Sequence, residues 1–107
     1  MERLKQIDKD TFIKKMEAHV LQFWPNAVKE GSFNNIRELI VYSMDTAKSY
    51  DIEIEYDVGR FIDLVCALGK DFMLNPHYND YKTILDNKQL IARERLDRLY
   101  EKLGINE

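Results

Sequence analysis

Apolar residues recur along this chain at helical rather than strand spacing, in four long blocks separated by short polar stretches. The first block sets Phe12, Ile13, Met16, Val20, Phe23 and Trp24 on one stripe, with Asp8 or Asp10 placed to cap its start. Pro25 ends it, because proline lacks an amide hydrogen and disfavours helix in the residue before it. Asn26 to Gly31 then reads as a connector, and Ser32 as the N-cap of a second block carrying Phe33, Ile36, Ile40, Met44 and Ala47. That block fades at Tyr50-Asp51, where aspartate can adopt the left-handed turn conformation that more often falls to glycine.

Residues Asp51 to Tyr56 alternate polar and apolar side chains, the pattern of a short strand. A lone strand has nothing to pair with and is not stable, so the stretch reads instead as an extended connector that tucks Ile52 or Ile54 into the core. A third helix follows on Val58, Phe61, Ile62, Val65, Cys66 and Leu68 and closes at Gly69. Its start is favoured by Asp57 and the glutamates just before it, which sit near the positive end of the helix dipole. Phe72 and Leu74 read as anchors within a polar turn. Asn75-Pro76 opens a short helix through Tyr81, Ile84 and Leu85, broken at Asp86-Asn87. The last helix carries Leu90, Ile91, Leu96, Leu99, Tyr100 and Leu103, with Arg93, Glu94, Arg95, Asp97, Arg98, Glu101 and Lys102 as its solvent face. The expectation is an all-α fold: a compact single-domain bundle of four to five helices over residues 1–107, its core spanning about 9–104.

Length and composition agree with that reading. A chain of 107 residues fits one domain, and a 45% hydrophobic content is enough to fill one core. The 33% of charged residues are of mixed sign and leave a net charge of -3, which supplies no surplus of Lys and Arg to displace counterions from nucleic acid. The basic residues of the first segment (Arg3, Lys5, Lys9, Lys14 and Lys15) are interleaved with acids. One cysteine cannot form an internal disulfide, no apolar signal core opens the chain, and no run approaches the ~20 apolar residues of a membrane span. A cytoplasmic protein without membrane or nucleic-acid partners is the expectation.

Catalytic and metal chemistry find little support. His19 and His77 lie far apart in sequence with no cysteine or carboxylate at ligand spacing, so no metal is expected. Cys66 falls on an apolar stripe without a neighbouring base and reads as a buried core thiol. The four glycines stand singly, so there is no phosphate-binding loop and no nucleotide cofactor is expected. Asp51, Glu53, Glu55 and Asp57 lack the glycine turn and closing glutamate of a calcium loop; they read as a solvated acidic connector that could face a basic patch on a partner. Aromatic residues are more numerous than a core of this size requires, and aromatics are favoured interface anchors. The candidate partner-binding set is therefore Trp24, Asp51, Glu53, Glu55, Tyr56, His77, Tyr78 and Tyr81.

Over residues 12–101 the chain resembles a family of short bacterial proteins encoded beside effectors and adaptor chaperones of the type VI secretion system. The resemblance rests on Phe12-Ile13, the Phe23-Trp24-Pro25 helix end, and Ala47-Lys48-Ser49-Tyr50-Asp51-Ile52, where the family usually has glycine in place of Asp51. It continues through Asp57-Val58, Arg60-Phe61-Ile62-Asp63-Leu64, Leu68-Gly69-Lys70-Asp71-Phe72 and Asn75-Pro76, and closes on Ile84-Leu85-Asp86 and Arg95-Leu96-Asp97-Arg98-Leu99-Tyr100. Family members often follow the proline with a Pro-Trp pair; here the stretch is His77-Tyr78-Asn79-Asp80-Tyr81, which would shift any anchoring role to Tyr78 or Tyr81. The resemblance implies a non-enzymatic accessory or co-chaperone that binds an effector or its adaptor chaperone. The alternative is an immunity protein whose acidic Asp51–Asp57 strip plugs a toxin. Tyr-rich surfaces can also form symmetric dimers, and the sequence does not exclude a homodimer.

Overall fold

The computed structural model describes residues 8–104, and every regular element among them is helical. Six helices run α1 Lys9–Phe23, α2 Ala27–Glu30, α3 Ile36–Ser49, α4 Glu55–Leu68, α5 Asn79–Leu85 and α6 Ala92–Leu103. Two 3-10 turns, Phe72–Leu74 and Pro76–Tyr78, precede α5. This is the expected all-α bundle, with one more helix than four to five because the connector after Pro25 itself winds into α2.

Local chemistry explains most boundaries. Asp8 caps α1 by accepting hydrogen bonds from the Thr11 amide and hydroxyl, and the helix stops two residues before Pro25, its C-cap Trp24 donating its amide to the Val20 carbonyl at 2.7 Å. The cap of α3 is Asn35 rather than Ser32: its side chain accepts from the Glu38 amide at 2.8 Å, and Glu38 reaches back to the Asn34 amide at 2.7 Å. Ser32 instead occupies a left-handed turn (φ 63°), which delivers Phe33 into the core. Before that turn, a Cβ on Gly31 would lie 2.9 Å from both the Ala27 carbonyl and the Phe33 ring, so only glycine fits.

The end of α3 is a Schellman turn with aspartate at the left-handed position. Asp51 has φ 64°, its amide bonds the Lys48 carbonyl at 2.9 Å, and the Ile52 amide bonds the Ala47 carbonyl at 3.0 Å. Ile52 is the residue that enters the core; Ile54 stays 46% exposed and becomes the N-cap of α4. Gly69 closes α4 at φ 104°, ψ 164°, a region that is essentially glycine-only.

α4 is the central element, touching α1, α2, α3 and α6. Phe61, Ile62 and Leu64 are wholly buried on it. Contacts between α4 and α6 advance together along both helices: Asp57 meets Arg93, Arg60 meets Asp97 and Asp63 meets Tyr100, so the two run in the same direction. Those between α1 and α4 advance likewise, from Lys15 with Glu55 to His19 with Asp63. The two turns and α5 carry the chain back between the end of α4 and the start of α6.

Several side chains depart from the sequence reading. Asp57 is buried rather than part of a solvated connector, because α6 supplies Arg93 to hold its carboxylate at 2.7 Å. Arg95 is buried rather than on the solvent face, since its guanidinium finds three backbone carbonyls inside. Leu74 does not anchor its turn; it is 77% exposed while Phe72 fills the core. Phe23 and Ile91 are also exposed, the latter as the N-cap of α6 rather than within it. Arg3 and Lys5 lie outside the described residues.

Candidate functional site

α1 and α4 do not close fully on one another. Between them lies an open groove of about 520 Å³, walled by Phe12, Lys15, Met16 and His19 on one side and by Ile54, Glu55, Tyr56, Gly59, Arg60 and Asp63 on the other. The floor is open because Gly59, in the middle of α4, has no side chain. A Cβ there would meet only Met16, at 3.8 Å, an ordinary contact. Neither packing nor backbone geometry requires glycine at this position, whereas a helix interior disfavours it.

At one end of the groove Asp63 gathers three donors, two from the end of α1 and one from α6. The Trp24 indole donates to Oδ1 at 2.9 Å, His19 Nε2 lies 2.7 Å from the same oxygen, and the Tyr100 hydroxyl donates to Oδ2 at 2.9 Å. A carboxylate only accepts, so the Nε2 of His19 carries the hydrogen. Phe23 packs on the His19 ring at 4.9 Å, which extends the aromatic rim towards the end of α1.

The α4–α6 side is built from stacked cations and rings. The buried Arg60 guanidinium binds Asp97 at 2.8 Å and lies 4.5 Å from the Tyr100 ring centre and 5.4 Å from that of Tyr56. Arg93 covers Tyr56 at 4.9 Å while holding Asp57, whose hydrogen bond and charge push the Arg93 pKa further up. Tyr56 is thus 52% exposed with two guanidinium groups near its ring, an aromatic presented at the groove rim.

Of the candidate residues named from sequence, the fold brings Glu55 and Tyr56 onto the groove and ties Trp24 to its Asp63 end. Asp51 and Glu53 lie just before α4, both exposed, with Asp51 3.1 Å from Lys88. His77, Tyr78 and Tyr81 form a second cluster, an edge-to-face ladder with ring spacings of 4.9 and 5.5 Å, extended by Lys102 over Tyr81 at 5.6 Å. Sequence reasoning did not single out His19, Gly59, Arg60, Asp63 or Tyr100 as site residues. The available signals were a carboxylate at Asp63 and a cation at Arg60 within the otherwise apolar run from Val58 to Leu68, and a glycine inside the helix.

Burial pushes the Cys66 thiol up to about 12, so the thiolate is scarce at neutral pH. Among the described residues no group of His, Cys, Asp and Glu could hold a metal ion, and no helix is long and apolar enough to cross a membrane. Comparison of the chain with protein-family models, with curated proteins and with solved structures finds no match.

Proposed function

We propose that the chain is a non-enzymatic protein-binding factor whose docking face is the α1–α4 groove. The observation that carries this reading is Gly59. A glycine that its own fold does not require keeps open the floor of a groove rimmed by the exposed Tyr56 and Ile54. Exposed tyrosines are favoured interface anchors, since they have few side-chain torsions to freeze when a partner covers them.

The partner class we propose is a type VI secretion effector or its adaptor chaperone, in the donor cytoplasm. The sequence resemblance over residues 12–101 supports it. The rival immunity reading needs the acidic strip as a plug, and that strip is reduced to Asp51, Glu53 and Glu55, because Asp57 is buried against Arg93.

The test is affinity purification of the tagged chain expressed from its native operon, with mass spectrometry, in wild-type, Tyr56→Ala and Gly59→Met forms. Recovery of an effector or adaptor chaperone by wild type and its loss from both variants is the expected result. Equal recovery by the variants would remove the groove as the docking face. A one-to-one complex with a toxin domain, abolishing its activity, would make the chain an immunity protein.

A further inference from the structure

We infer that the occupant of the groove is a basic amphipathic helix of the partner, its apolar side chains laid over Gly59 and its cations over Glu53 and Glu55; this rests on the docking reading above. Three features define the occupant. From Phe12 to His19 the α1 wall spans seven residues, ~10 Å of helix rise. A partner helix presents apolar residues at i, i+4 and i+7 over that same length, so three anchors match the groove, the middle one above the missing side chain of Gly59. The inner lining is apolar, with Phe12 and Met16 facing Ile54 and Gly59.

Charge sets the sign of the partner. Glu55 lines the groove, and Asp51 and Glu53 stand exposed in the segment just before α4, on a chain of net charge -3. The two cations beside Tyr56 already hold acids: Arg60, 6% exposed, binds Asp97, and Arg93, 46% exposed, binds the buried Asp57. Lys15 on Glu55 and Lys88 on Asp51 form solvent-exposed pairs of 3.3 and 3.1 Å that contribute little and exchange readily for a partner's Lys or Arg. A helix with acidic flanks would instead meet like charge.

The chain's single tryptophan reports the event, because Trp24 is bonded to Asp63 at the groove end. The probes are three synthetic peptides without aromatic residues: a leucine–lysine helix with leucines at three- and four-residue spacing, the same helix with glutamate for lysine, and a scrambled leucine–lysine sequence. Binding is read by Trp24 emission and by calorimetry. The leucine–lysine helix is expected to bind at least roughly tenfold tighter than either control, and to lose roughly tenfold with Gly59→Met or with Tyr56→Ala. Glu53→Gln with Glu55→Gln should weaken it several-fold and flatten its salt dependence.

Tyr56→Ala changes a half-exposed side chain, so it decides the matter if Gly59→Met does not fold. Equal binding of the glutamate peptide, or undiminished binding of the lysine peptide to Tyr56→Ala, would overturn the inference. So would concentration-dependent self-association of the free chain abolished by Tyr56→Ala, which would make the occupant a second copy. If the peptide fails while recovery of the effector or adaptor still depends on Gly59 and Tyr56, the docking function stands and only the basic-helix chemistry falls.

Discussion

Asp63 accepts from Trp24, His19 and Tyr100, so one carboxylate fixes the end of α1 and the C-terminal part of α6 to α4. Hydrogen bonds to a charged group are worth about 1.5–3 kcal/mol each, and asparagine keeps a single acceptor oxygen. Asp63→Asn is therefore expected to lower stability by roughly 2–4 kcal/mol, measured by urea unfolding followed through Trp24; a loss near zero would show that the three bonds are not energetically linked to the fold. Cys66 gives a pH signature of the opposite kind. Burial first, and the Asp63 charge second, raise its pKa from 9.0 to about 12. The folded chain then keeps a proton that the unfolded chain releases, so this contribution is whole below about pH 9 and is lost between about 9 and 12. Wild type should lose stability more steeply across that window than Cys66→Ala, and identical slopes would show that the thiol is not buried in solution.

Among the elements, α4 carries both the core and the groove, and Gly59 is where the two demands separate. Gly59→Ala removes the entropic cost of a mid-helix glycine and places its Cβ at an ordinary 3.8 Å from Met16. It is expected to raise the unfolding free energy by about 0.5–1 kcal/mol in a denaturant titration, with a fall instead pointing to packing in the groove that the contact distance does not show. The helices themselves were legible because their determinants are local: apolar spacing, Pro25, the glycine at the end of α4, and an aspartate at position 51 able to adopt φ 64°. The start of α3 was not, because Ser32 and Asn35 are both good caps by type, and only Glu38 folding back onto Asn34 selects the second. Asp57, Asp63 and Arg95 were misread or passed over for a related reason. A charged residue reads as solvent-facing until its partner, 36 residues or more away for the two aspartates, is known.

At the scale of the whole molecule, Arg95 does what no local contact can. Its guanidinium donates to the carbonyls of Leu90 at 3.1 Å, Tyr50 at 3.1 Å and Leu85 at 2.8 Å, joining the end of α3, the end of α5 and the turn before α6. Lysine is a point donor on a flexible stem and cannot reproduce that fork. Arg95→Lys should cost roughly 2–4 kcal/mol and lower Tm by about 10 °C or more, read by calorimetry; an unchanged Tm would mean that water satisfies these carbonyls equally well. The same reach across the sequence governs how the chain is made. The partners that hold Asp57, Arg60 and Asp63 on α4 come in large part from α6, the last helix to leave the ribosome among those described. Until α6 emerges, the central helix holds charges that lack these partners beside a bare apolar face, so closure of the bundle waits on synthesis of its final dozen helical residues. A nascent chain stalled near residue 90 should be open, protease-sensitive and a substrate for the cell's own holding chaperones.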